Sequence, residues 1–400
     1  MTLSQSISAW QVFLIFLKLG LTSFGGPVAH LGYFREEFVS KRHWLSDAQY
    51  ADIVALCQFL PGPASSQVGM AIGLSHAGYK GALSAWLGFT LPSAIFLIIF
   101  ALGVSHYSDI ATSGILHGLK IASVAIIAQA IWGMAKNLCP DKARITIMTI
   151  TTCFVLVVPS AIGQVLAIIM AGFIGWRLFQ PNIDEAHQAL NVPISKKSGS
   201  VWLLMFFVLL VVLPMITWSW PNAIVILMDD FYRAGALVFG GGHVVLPLLQ
   251  AEVVETGMVS NDLFLAGYGA TQIVPGPLFT FAAFLGASMN EFPNGWLGGM
   301  IALVAIFLPS FLLVVGALPF WEVLRHHTQT KAALMGINAA VVGLLLAAFY
   351  QPIWVNTIFN ATDFSLALIA FVALMYWKLP IWLVVIASGM LGWLANFFIT

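Results

Sequence analysis

Residues 16–26 read FLKLGLTSFGG, and residues 231–241 read FYRAGALVFGG. Phe16 matches Phe231, Lys18 matches Arg233, Gly20 matches Gly235, and Phe24-Gly25-Gly26 matches Phe239-Gly240-Gly241, all at one offset of 215 residues. The correspondence continues outward from this pair. Gln58-Phe59-Leu60-Pro61-Gly62-Pro63 returns as Gln272-Ile273-Val274-Pro275-Gly276-Pro277, Leu91-Pro92-Ser93 as Leu308-Pro309-Ser310, and the stretch 118–132 as 336–350. The offset drifts only between 214 and 218, as small loop insertions require. In a membrane chain, internal duplication points to a transporter whose site lies where the copies meet.

That the chain is a membrane protein follows from composition. It is 60% hydrophobic and 8% charged, where a soluble domain carries about 25% charged residues. The apolar runs 81–104, 115–135, 201–219 and 380–398 are each long enough to span a bilayer, which takes about 20 residues. The expectation is an all-α polytopic membrane protein, since a barrel shows short alternating segments. A formal net charge of zero suggests neither a nucleic-acid partner nor a polybasic lipid anchor. The opening MTLSQSISAW lacks a basic n-region and a cleavage site, so no removable signal peptide is expected. Cys57, Cys139 and Cys153 lie far apart and the nine histidines are scattered. Neither pattern has metal-ligand spacing, and no metal or cofactor is expected.

The chain divides into a first repeat over 1–180, a polar linker plus one extra transmembrane helix over 181–220, and a second repeat over 221–400. Each repeat reads as about six membrane segments; in the first they are 10–27, 48–78 (broken), 81–105, 112–136, 145–158 and 160–178. Six, one and six give thirteen crossings, and the single helix 201–219 inverts the second copy relative to the first. Loop charge supports this orientation, since Lys and Arg mark the cytoplasmic side. Lys80, Lys136, Lys142, Arg144, Arg177, Lys196, Lys197, Arg325, Lys331 and Lys378 fall on one side, while 106–111 and 351–363 carry no Lys or Arg. One pair of loops disagrees: Arg35, Lys41 and Arg42 fall outside, and Glu252, Glu255 and Asp262 fall inside. Either these loops lie at the surface or segments 10–27 and 231–242 do not fully cross.

Backbone chemistry marks the candidate site. Two prolines in each of Pro61-Gly62-Pro63 and Pro275-Gly276-Pro277 remove amide donors and clash with the preceding turn, so the helix breaks. Broken backbone at membrane depth survives only inside protein or beside a water-filled cavity. The next half-helix starts with free amides and about +0.5 charge, which suits an anion; a plain proline kink is the alternative. Ser65, Ser66 and Thr280 add hydroxyl donors, and Gln58 and Gln272 add carboxamides or cap nearby backbone. Gly25-Gly26 and Gly240-Gly241 break the first segment of each copy, for a ligand or for close helix packing. Lys18 and Arg233 sit mid-segment, where a cation costs about 2.5–3.5 kcal/mol and usually faces a pathway or partner, unless it snorkels. Two cations and two half-helix N-termini would hold a small dianion.

The motifs FLKLGLTSFGGPVAHLGYF, WLSDAQYADIVALCQFLPGPASSQVGMAIG, ALVFGGGHVVLPLL and ATQIVPGPLFTFAAFLGA resemble the chromate ion transporter family in its long two-domain form. The resemblance implies an inner (plasma) membrane exporter of chromate, built from two antiparallel halves, conferring chromate resistance and linked to the proton-motive force. It places Lys18, Gly25, Gly26, Pro27, Gln58, Pro61, Gly62 and Pro63 in the family's first-half motif. The residues alone reach only a small oxyanion, with sulfate the nearest rival to chromate. An intramembrane enzyme lacks the expected facing carboxylates or metal cluster. A channel takes its pore from several subunits or rings of residues, and no phosphate-binding GxxxxGK[ST] loop supports an ATP-driven pump.

Overall fold

The computed structural model describes residues 7–106, 114–181, 194–324 and 327–399. Most of the expected linker (182–193), the 107–113 loop and residues 325–326, which include one of the expected surface cations, lie outside them. The described residues are helical throughout, without a strand.

The first copy comprises α1 (Ala9–Thr22), α2 (Gly26–Arg35, continued by a π-turn to Lys41), α3 (Asp47–Phe59), α4 (Ala64–His106), α5 (Gly114–Leu138), α6 (Lys142–Val157) and α7 (Ala161–Leu178). Helix α8 (Lys196–Ser219) joins it to the second copy. That copy comprises α9 (Ala223–Leu237), α10 (Val245–Val253), α11 (Asn261–Thr271), α12 (Phe281–Ala287), α13 (Gly295–Ala317), short α14 (Trp321–Leu324), α15 (Thr328–Ala348), α16 (Ala361–Met375) and α17 (Ile381–Ile399). Local sequence sets the starts. Ser8 and its mate Asn222 cap α1 and α9, and Ser46 and its mate Ser260 cap α3 and α11. Each such side chain accepts an otherwise unpaired amide at a helix start, worth about 1 kcal/mol.

Helix α4 is not one rod. Ala77 (φ −137°, ψ 22°) and Gly78 (φ 61°, ψ −154°) reverse the chain, so that Gly73 packs on Gly81 and Ala85. Residues 64–76 and 79–106 are therefore antiparallel legs. The indole of Trp44 stacks on His76 with ring centroids 4.6 Å apart, which puts the α2–α3 loop beside this reversal. The second copy repeats the arrangement. Asn290, between α12 and α13, donates from its backbone to Met258 O (3.1 Å) and from its side chain to Gly257 O (3.0 Å) in the α10–α11 loop.

Both early pairs of each copy, α1–α2 with α3–α4 and α9–α10 with α11–α12, therefore enter the membrane and return. The six segments per copy stand, but the first two are re-entrant. Six described helices are long and apolar enough to cross a membrane, namely α4 (through residues 79–106), α5, α7, α8, α13 and α15. The shorter α6, α16 and α17 pack along α15 and α5, so the arrangement reads as nine crossings among the described residues in place of thirteen. This resolves the loop conflict. Arg35, Lys41 and Arg42 join Lys80 on the Lys/Arg-rich face, while Glu252, Glu255 and Asp262 lie on the other. Four crossings return the first copy to its starting face, and α8 then inverts the second copy. Only 17% of α8's most apolar window is buried in protein, so it rides on α9 and α13 with the rest toward lipid.

The copies are interlocked. The hairpin α6–α7 packs on α15 of the second copy, and α16–α17 packs on α5 of the first. Glycines allow this closeness. Gly118 lies against Ser388, Gly392 against Gly114, and Gly336 against Ala171, with no room for a Cβ at any of them.

Candidate functional site

The four backbone breaks meet. After α1 the chain turns at Ser23; after α9 it turns at Val238. The amide of Gly62 donates to the Val238 carbonyl oxygen (2.7 Å), and the amide of Gly276 donates to the Ser23 carbonyl oxygen (3.0 Å). Each Pro-Gly-Pro turn is thus tied to the other copy's first break, which puts all four at one depth. The arrangement demands glycine. Gly62 has φ 122° and Gly276 φ 104°, in the left-handed range that a Cβ disfavours. A Cβ there would also collide with Ser310 Oγ at Gly62 and with Ser93 Oγ at Gly276. Ser93 and Ser310 are themselves repeat mates, from Leu-Pro-Ser, and Ser93 Oγ donates to the Pro275 carbonyl oxygen.

Around this crossing sit polar groups with spare capacity. The Oγ atoms of Ser23, Ser66 and Ser310, Gln67 Oε1 and Gln272 Nε2 are buried and have no hydrogen-bond partner among the described residues. Buried polar atoms without partners are rare in proteins, and several at one place fit a site that water or a ligand completes. Gln67 Nε2 does donate to the Pro61 carbonyl oxygen (2.7 Å). Four half-helices, beginning at Gly26, Ala64, Gly242 and Leu278, start here, each with unpaired amides at its positive end. Gly25 and Gly240 are exposed, although Asn338, Leu138 and Val341 approach Gly240 from one side.

The other expected site residues fall as follows. Pro61, Pro63, Pro275 and Pro277 form the turns, with Gly26 and Gly241 beside them. Pro27 packs against Gly242. Ser65 Oγ lies 3.4 Å from His30 Nδ1, and Thr280 Oγ1 donates to the Pro277 carbonyl oxygen (2.8 Å). Gln58 is exposed just before its break. The two cations are not brought together as open counter-ions. Lys18 is exposed on α1, with no ion-pair partner among the described residues. Arg233 is enclosed by Asp230 (2.9 Å), Glu252 (3.0 Å) and Asp229 (3.2 Å, too poorly aligned for a hydrogen bond). Engaged by three carboxyl groups, the guanidinium holds α9 to α10 rather than presenting a free positive charge.

Sequence reasoning missed several polar residues. His30 is buried, with Nε2 3.2 Å from the Ser23 carbonyl oxygen, the atom that also receives Gly276. His243, just after the other glycine break, has Nδ1 2.5 Å from the Tyr268 hydroxyl oxygen. A histidine a few residues past the glycine break in both copies was the available signal. Asn338 of α15 lies over Gly240, and Asp229 and Asp230 precede Arg233 at helix-neighbour spacing. No cluster of three or more His, Cys, Asp or Glu able to hold a metal occurs among the described residues.

An internally duplicated, inverted helical membrane protein whose broken helices meet at mid-depth has the architecture of a transporter. The particular family follows from the sequence comparisons. The family model described as chromate transporter matches residues 10–176 and 225–393, and the chain belongs to that family. An uncharacterized transporter of Methanocaldococcus jannaschii is 28% identical over 402 residues, covering 97% of this chain and 94% of the relative. The chromate transport protein of Pseudomonas aeruginosa is 27% identical, over 96% of this chain and 92% of its own length. A probable chromate transport protein of Synechococcus elongatus is 27% identical, with 94% of each chain covered. No solved structure matches this chain.

Proposed function

We propose that this protein is a secondary transporter that exports chromate across the inner (plasma) membrane by alternating access and so confers chromate resistance. The observation that carries the proposal is the reciprocal tie of the four breaks, Gly62 to Val238 and Gly276 to Ser23, with unpartnered hydroxyl and carboxamide groups around it. The dianion lies at this crossing, taking hydrogen bonds from half-helix amides, from Ser66 and Ser310, and from Gln272. Lys18 and Arg233 act at the periphery, Lys18 by attracting the anion and Arg233 by fixing the α9–α10 hairpin. The Lys/Arg-rich face is cytoplasmic. Moving a dianion outward across an inside-negative membrane releases about 4.6 kcal/mol per 100 mV, so the potential part of the proton-motive force drives export. With the copies interlocked, the re-entrant hairpins make the movement.

Labelled chromate uptake into inverted vesicles tests this, with unlabelled sulfate as competitor. Uptake should saturate and rise with an inside-positive potential in these vesicles. Gln272→Ala and Ser66→Ala should each weaken apparent affinity about tenfold, the worth of one hydrogen bond to a charged group. No saturable uptake would defeat the proposal; normal affinity in both variants would defeat the site.

A further inference from the structure

A cavity of about 280 Å³, lined by nine apolar and six polar residues, opens away from the breaks. It lies between the α6–α7 turn of the first copy and α10, α11 and the end of α15 in the second, toward the face opposite the Lys/Arg-rich one. Its polar lining is Gln164, Gln250, Glu255, Asn261, Gln351 and Asn356, with no Lys, Arg or His. Gln164 is 5% exposed. Its Nε2 donates to the Pro247 carbonyl oxygen (3.3 Å), which fixes the carboxamide orientation, since a carbonyl accepts and cannot donate. The Oε1 of Gln164 is thereby left as an acceptor with no partner, and Asn261 Oδ1 is a second one. Glu255, exposed at the mouth, adds the only formal charge in the lining.

From these groups we infer a binding site for a monovalent alkali cation. Unpaired oxygens need a donor or a cation, and hard oxygen ligands favour alkali and alkaline-earth ions. One carboxylate balances a single charge, whereas divalent sites gather more carboxylates. The volume suits an ion that keeps several waters, at about 30 Å³ each. The site joins the copies: Gln164 belongs to the first, Asn261 and Glu255 to the second. It also abuts Pro247 of α10, the half-helix that continues from the Gly242 break. An ion there braces α10 against α7. This inference does not depend on the identity of the transported solute.

Equilibrium binding of radiolabelled sodium to the purified full-length protein, in choline chloride and without chromate, tests it. Saturable binding at about one ion per chain is expected. Glu255→Gln and Gln164→Leu should each weaken it about tenfold or more, while Lys80→Gln, exposed on the opposite face, should not. Glu255 is exposed at the mouth, so its variant folds normally, and size-exclusion elution checks this for both. Absence of saturable binding in the unaltered protein, or binding unchanged by Glu255→Gln, would overturn the site. Because the readout contains no chromate, these outcomes are separate from a failure of vesicle transport.

Discussion

Position 18 on α1 and its repeat mate 233 on α9 occupy equivalent helices, with one register and one sign of charge, yet their surroundings differ. On α9, Asp229 and Asp230 stand one turn before Arg233, and Glu252 approaches from α10. On α1 the positions matching those aspartates are Leu14 and Ile15, and Glu37, the mate of Glu252, pairs with Arg42 at 2.7 Å. Lys18 is left exposed. The breaks behave in the opposite way, since the tie made by Gly62 is matched by the tie made by Gly276. Backbone is what the two copies preserve; charge is where they diverge. The shared task therefore belongs to the turns, and the ion cluster serves one copy's hairpin.

The sharpest way to break this comparison is at the turns. Gly62→Val and Gly276→Val each impose a Cβ at positive φ against a serine hydroxyl. Strain of about 1–2 kcal/mol and overpacking of about 1–3 kcal/mol together should lower detergent thermal stability strongly, and equally in both copies. A marked inequality would mean the crossing is not symmetric in energy. Next, Arg233→Leu strands three carboxylates, and losing one partner of a buried pair costs about 3–5 kcal/mol. Lys18→Leu should stay within about 0.5 kcal/mol in the same melt. Equal losses would erase the distinction. Smaller still, Ser93→Ala removes the bond to the Pro275 carbonyl oxygen and should cost about 1 kcal/mol. Ser310→Ala removes a hydroxyl without a partner, so stability should hold while chromate affinity in vesicles falls. If both serines affect only stability, the vacant hydroxyl has no ligand role.

The turns were legible because Gly and Pro encode backbone shape directly, and their recurrence fixed which breaks correspond. The inversion was legible from the odd helix α8. Re-entrance was only half legible: hydropathy measures apolar length, not direction, and the reversal at Ala77-Gly78 rests on a single glycine. Loop charge held the missing sign, since Arg35, Lys41 and Arg42 conflicted with a full crossing. The surroundings of the two cations were hidden for a different reason. Asp229 and Asp230 look idle as neighbours in sequence, and only helix geometry turns them toward Arg233. Glu252 is brought in by the fold alone, through the return of α10. The hydroxyls left unpaired at the crossing depend on packing between copies, which no local pattern records.

The exchange of terminal hairpins, α6–α7 clasping α15 and α16–α17 clasping α5, makes the two halves a mutual embrace. Neither half can be peeled away without stripping the other's flank. Severing the chain between α7 and α8 should thus yield two fragments that still purify as one particle. A half-length version of such a chain would be left holding an empty grip until a second, oppositely oriented copy supplied the missing arm.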